Sequence, residues 1–221
     1  MARIAIIGDS WGTSAGWTAQ LQKTQVHLQA RLQRVGHSVK HNFSIPGGSN
    51  GSSIHKASEW YTLNPNTAPD YIIWFHTESL RDRQLEDLDR EFRVEDLARE
   101  KALRNYAQFH ELLLLTGARD IIIGGQAPVI TELLEHDPYY LLEDWRSELL
   151  GIPSTMTHTI CNSDLFERQG CKDSAETLTK MLEANIRIID LCKDSVLFPD
   201  NAHPGSAAHR LLFEKIIDYI K

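Results

Sequence analysis

Three short apolar runs constrain this chain most: Ile4-Ala5-Ile6-Ile7 at the N-terminus, Tyr71-Ile72-Ile73-Trp74-Phe75, and Ile121-Ile122-Ile123. Each is too short for a helix and shows no polar alternation, the pattern of a strand buried on both faces of a parallel sheet. Helical spacing separates them. Trp17 to Val35 carries Leu21, Leu28, Leu32 and Val35 and stops at Gly36; Leu103 to Leu115 is amphipathic and stops at Gly117; Ala175 to Leu191 and Ser206 to Ile220 repeat the pattern. Ser38 to Phe43 reads as a second strand and Val196-Leu197-Phe198 as a short final one. Strand, helix and strand in alternation make parallel crossovers. The expectation is a single domain over 1–221 with a three-layer α/β/α fold and a parallel sheet of about five strands.

In such a sheet, ligands sit beyond the carboxyl ends of the strands. Gly8-Asp9-Ser10 stands one step past the first run, so its hydroxyl is a candidate nucleophile. The plainer reading is a turn in which Ser10 caps the following helix. A serine hydroxyl is a poor nucleophile until a base takes its proton, and histidine suits that exchange near neutrality. At the other end of the chain, Phe198-Pro199-Asp200-Asn201-Ala202-His203-Pro204-Gly205 brings an Asp and a His together just before the last helix. His203 is the candidate base, and Asp200, three residues earlier, can hold its imidazole in one tautomer. As ordinary residues, Asp200 would cap a turn at Pro199 and His203 would sit at a helix start. His209 competes as the base, but its place on the closing helix predicts a surface position.

This combination resembles the SGNH, or GDSL-type, hydrolase family, which carries its serine in a Gly-Asp-Ser stretch after the first strand and an Asp-x-x-His before the last helix. Ser10, Asp200 and His203 match those positions one for one, and the resemblance in architecture spans nearly all 221 residues. It implies a flavodoxin-like SGNH hydrolase fold and an oxyanion-hole glycine in the loop after the second strand. In Ser44-Ile45-Pro46-Gly47-Gly48-Ser49-Asn50-Gly51-Ser52-Ser53, Gly47 is the best match and Gly48 the next; a flexible linker is the alternative. The backbone N–H groups of Ser10 and Gly47 would then face the developing oxyanion.

The chain departs from the family after the third run. The usual Gly-x-Asn-Asp, whose Asn donates to the oxyanion, is replaced by His76-Thr77-Glu78-Ser79-Leu80-Arg81, and the Asn position falls on Glu78, which has no proton to donate when ionised. Asn50 and Arg81 are the nearest replacement donors. The expectation is that Asn50 completes the hole with Ser10 and Gly47 while Arg81 neutralises Glu78, with Asp9, Gly48, Glu78 and Arg81 lining the site. The function implied is a serine esterase acting on a small ester, such as an O-acetyl group on carbohydrate, through an acyl-enzyme and without a cofactor. The alternative is a catalytically impaired module of the same fold, binding carbohydrate or serving in a larger assembly such as a virus particle.

Composition narrows the partners. A formal net charge of −7 and a pI near 5.8 disfavour a nucleic-acid groove. No apolar run approaches the length of a membrane span. Cys161, Cys171 and Cys192 lack any C-x-x-C spacing, so neither a disulfide framework nor a metal site is indicated. Met1-Ala2-Arg3 leads straight into the first strand without a secretory leader, so a cytoplasmic protein is expected, released by lysis or within an assembled particle if it acts outside. The charge-dense 82–104 reads as a solvated helical face. Between Ala127 and Ile160 the pattern breaks up around Pro128, Pro138 and Pro153, suggesting an insertion that acts as a lid, a buttress or an oligomer contact.

Overall fold

A computed structural model of the chain describes residues 1–13, 25–82, 94–153, 190–193, 195–200 and 203–221. Five strands, β1 (Arg3–Ile7), β2 (Ser38–Asn42), β3 (Tyr71–His76), β4 (Arg119–Gly124) and β5 (Tyr140–Leu142), form one parallel sheet in the order β2-β1-β3-β4-β5. The described helices are α1 (Leu28–Arg34), α2 (Asn50–Leu63), α3 (Val94–Thr116), α4 (Trp145–Leu150) and α5 (Ser206–Ile216). Among the described residues, no helix is long and apolar enough to cross a membrane.

Successive strand side chains point to opposite faces, which divides the interior into two cores. Ile4, Ile6, Ile73, Phe75, Ile121 and Ile123 meet Leu28 and Leu32 of α1, Trp145 of α4, and Leu212 and Ile216 of α5. Ala5, Ile7, Ile72, Trp74 and Ile122 meet Ile54 and Tyr61 of α2, and Tyr106, Phe109 and Leu112 of α3. Helices therefore cover both faces of one parallel sheet, a three-layer α/β/α fold. The apolar runs have no alternation because both of their faces are core: Ile6, Ile7 and Ile72 to Phe75 are fully buried. Each such large side chain contributes about 1.5–3 kcal/mol through burial.

Two sequence assignments change. The fifth strand is Tyr140–Leu142, paired with Ile121 to Ile123, and so comes from the stretch read as an insertion. Three half-buried residues at a sheet edge are too few to show a period. Val196 and Leu197 lie instead in a turn that lodges Phe198 in the core, where it packs 5.9 Å from Trp11. Of the helix expected over Trp17 to Val35, the described part is α1, which His27 caps by accepting the Gln29 N–H at 3.4 Å; 14–24 lie outside the described residues. Also outside them are 83–93, 154–189, Cys161 and Cys171, and with them most of the expected helix Ala175 to Leu191.

In this strand order β1 lies between β2 and β3, so the chain winds away from β1 in opposite directions. The crevice at the carboxyl ends of β1 and β3 is the binding position such a reversal creates.

Candidate active site

Ser10 stands in that crevice, in a turn that tolerates little variation. Gly8 has φ +137°, and a Cβ there would lie 2.5 Å from the Phe75 carbonyl oxygen, so the exit from β1 passes β3 only as glycine. Asp9 caps the 3-10 turn Ser10–Gly12 by accepting the Trp11 N–H at 2.9 Å. Trp11 is buried edge-on against Trp145, ring centroids 5.6 Å apart, which anchors the turn to the core.

The turn before α5 meets it. The Ser10 hydroxyl is 3.0 Å from His203 Nε2, and His203 Nδ1 is 2.7 Å from Asp200 Oδ2. Asp200 Oδ1 also accepts the His203 backbone N–H at 2.6 Å, so this carboxylate both caps the turn and holds the ring. With the Nδ1 proton donated to Asp200, the Nε2 lone pair faces the Ser10 proton. The two ends of the chain thus form one hydrogen-bonded relay.

On the β2 side, Ile45 to Gly48 is a type II turn: Pro46 at its second position, Gly47 at φ +67° in its third, and the Gly48 N–H donating to the Ile45 carbonyl at 2.8 Å. The Ile45 N–H donates to the Gly8 carbonyl at 3.0 Å, stitching this loop to the exit of β1. Among the described residues, the backbone N–H groups of Ser10 and Gly47 donate to no protein acceptor.

Asn50, expected as a third oxyanion donor, is engaged elsewhere. It is the first residue of α2 and fully buried. Its Nδ2 donates to the Thr77 carbonyl at 2.8 Å, and its Oδ1 accepts the Thr77 N–H at 3.0 Å and the Trp74 indole N–H at 3.3 Å. A short side chain where the α2 N-terminus meets the end of β3 reaches that backbone and not the serine.

Glu78 is buried and forms an ion pair with the Arg81 guanidinium, the pairing suggested by the sequence. Arg81 Nη1 is also 3.4 Å from Asp9 Oδ2 and 3.5 Å from the Gly48 carbonyl, and Nη2 binds Gln126 Oε1. Burial pushes the Asp9 carboxyl up to about 6, with the Arg81 charge acting in the opposite sense. Sequence reasoning missed Gln126, whose signal is a polar side chain just beyond Gly124-Gly125 at the exit of β4.

His209 is a core residue and not a surface one. Ala208, Leu212 and Ile216, every fourth residue of α5, face inward, and His209 lies beside that stripe with its ring centroid 4.2 Å from His27 and 5.5 Å from Trp145. Burial holds it well below the ordinary histidine range, so it is a neutral packing residue. His27 and His76, also missed, are buried histidines held down to about 4. Among the described residues, no group of three His, Cys, Asp or Glu side chains is placed to hold a metal ion.

No protein-family model matches the chain, and neither does any curated protein. Among solved structures, the chain is similar to TesA at 14% identity over 99% of this chain and 97% of that one, with a TM-score of 0.46. It is similar to the psychrotrophic esterase EstA from Pseudoalteromonas sp. at 14% identity over 98% and 95% of the two chains, TM-score 0.44. The lipase/acylhydrolase from Enterococcus faecalis aligns at 16% identity over 99% and 95%, TM-score 0.43. What the side chains of this chain can do is set by the distances given above.

Proposed function

We propose that this chain is a serine esterase of the SGNH type, with Ser10 as nucleophile, His203 as general base and Asp200 as the carboxylate that orients it. The observation that carries this reading is the unbroken relay from Ser10 Oγ through His203 to Asp200, 3.0 Å and 2.7 Å in its two links. As Ser10 Oγ attacks an ester carbonyl, its proton passes to His203 Nε2, and Asp200 stabilises the imidazolium. The tetrahedral oxyanion faces the N–H groups of Ser10 and Gly47. His203 then protonates the departing alcohol, and a water activated by the same imidazole releases the acid from the acyl-enzyme. A small acyl group fits the reading, and an O-acetyl group on carbohydrate is the substrate class that the resemblance implies.

A second reading, a module of this fold without turnover, draws on Glu78 standing where the family's Asn would donate. Hydrolysis of a chromogenic acetate ester separates the two. Turnover by the wild type that disappears in Ser10→Ala supports the esterase, and turnover in neither supports the module.

A further inference from the structure

The loop carrying Gly47 is tied down at both of its ends. On its N-terminal side, the Ile45 N–H binds the Gly8 carbonyl. On its C-terminal side, Asn50 grips Thr77, and the Gly51 N–H donates to both oxygens of Asp82, at 3.0 and 3.2 Å. The crest between them, Pro46-Gly47-Gly48, has neither tie. Among the described residues, the side chain that bonds to it is Arg81, through the Gly48 carbonyl.

Arg81 has three further partners, and the four come from four exits of the sheet: Asp9 after β1, Gly48 after β2, Glu78 after β3 and Gln126 after β4. A guanidinium can serve such a set because its five N–H donors are fixed in one planar fork; an ammonium is a single point of charge. The side chain is 16% exposed, against 0% for Asp9 and 5% for Glu78, so solvent screens these contacts weakly. The two Nη1 contacts are at the long end of hydrogen bonding, and the Asp9 charge supplies much of the attraction there.

We infer that Arg81 is a positioning residue that holds the Gly47–Gly48 crest against the Ser10 turn, so that two backbone N–H groups make a working oxyanion hole without the missing side-chain donor. This rests on Ser10 being the nucleophile. Stiffness takes over from a third donor: displacing an N–H by about 1 Å from a developing oxyanion weakens transition-state stabilisation while leaving ground-state binding nearly intact. The fork, and not the charge alone, is the working feature, because neutralising Asp9 and Glu78 needs only a cation and bridging Gly48 to Gln126 needs the plane.

The test compares wild type, Arg81→Lys and Arg81→Ala in acetate-ester hydrolysis and in the rate of labelling by a fluorophosphonate, whose phosphoryl oxygen occupies the same hole. Both variants should lose about 10²-fold in kcat with KM little changed, and labelling should slow in parallel. Added methylguanidinium should restore part of the activity of Arg81→Ala and none of that of Arg81→Lys. If Arg81→Ala loses its cooperative melting transition, Arg81→Lys, which keeps the charge, carries the comparison. Wild-type kcat in Arg81→Lys, or losses confined to KM, would overturn the inference alone. A wild type that neither turns over nor takes the label would overturn the nucleophile assignment and this inference with it.

Discussion

Acidification should loosen this protein through histidines that do no chemistry. His76 is fully buried: Nδ1 lies 3.2 Å from the Ala127 carbonyl, and Nε2 lies 3.3 Å from the Tyr106 hydroxyl, whose oxygen accepts the Ile130 N–H at 2.8 Å. That arrangement satisfies a neutral ring, with Nδ1–H facing the carbonyl and the Tyr106 O–H facing Nε2, and burial disfavours the charged one. His27 is similarly enclosed, with Nε2 3.4 Å from the Trp11 carbonyl and Nδ1 accepting from Gln29. Both are displaced from 6.5 to about 4, chiefly by burial. Between those values the unfolded chain binds protons that the folded one refuses, so stability is complete above about 6.5 and falls as pH drops toward 4. At 1.36 kcal/mol for each pH unit, each histidine contributes about 3 kcal/mol of that loss. Asp9 works against them. Its carboxyl is raised from 3.8 to about 6, so the folded state holds a proton that the unfolded chain releases, and about 3 kcal/mol returns over the same acid interval. His209, depressed in the same sense as the other two histidines, adds to the loss. Urea unfolding followed from pH 7 to pH 4 should therefore show a net decrease of about 3 kcal/mol or more. His76→Asn, whose amide can still donate to Ala127, should lose about 3 kcal/mol less across that range. A flat profile, or an unchanged slope in His76→Asn, would refute the reasoning.

Other outcomes follow from the site and its supports. Asp200→Asn should lower kcat by about 10⁴-fold by favouring the wrong tautomer of His203, with little shift in the melting temperature; loss of folding would reassign Asp200 to structure. Asn50→Ala should act on stability, lowering the urea-derived unfolding free energy by about 3 kcal/mol or more, because both Thr77 backbone groups and the Trp74 indole lose their partner. An unchanged stability with a large fall in kcat would return Asn50 to the oxyanion hole. Gly8→Ala should abolish or severely weaken folding as judged by circular dichroism, since its methyl would meet the Phe75 carbonyl and Cβ at 2.5 and 2.8 Å.

What the sequence made legible is what one residue type at one place decides. Unalternating apolar runs mean strands covered on both faces, and Ile4 to Ile7, Tyr71 to Phe75 and Ile121 to Ile123 are the three central strands. Gly-Asp-Ser at the exit of β1 and Asp-x-x-His before the last helix meet at the carboxyl ends of the strands, where such a sheet places its binding crevice. Illegible were features set by long-range packing. Tyr140 to Leu142 becomes a strand only because Ile121 to Ile123 offers an unpaired edge. Asn50 looked like a loop donor because its spacing from Gly47 says nothing of Thr77, 27 residues on, which claims its amide. His209 is polar by composition and buried by its place beside the Ala208 stripe, where His27 and Trp145 close over it.

The most direct measurement is mass mapping of the intact protein after reaction with a fluorophosphonate, which phosphonylates a serine only where a base takes its proton. A single adduct on the peptide containing Ser10, absent from His203→Ala, is the predicted result. An adduct on Ser49 or Ser52, or no adduct at all, would contradict the assignment of Ser10, His203 and Asp200 as one catalytic relay.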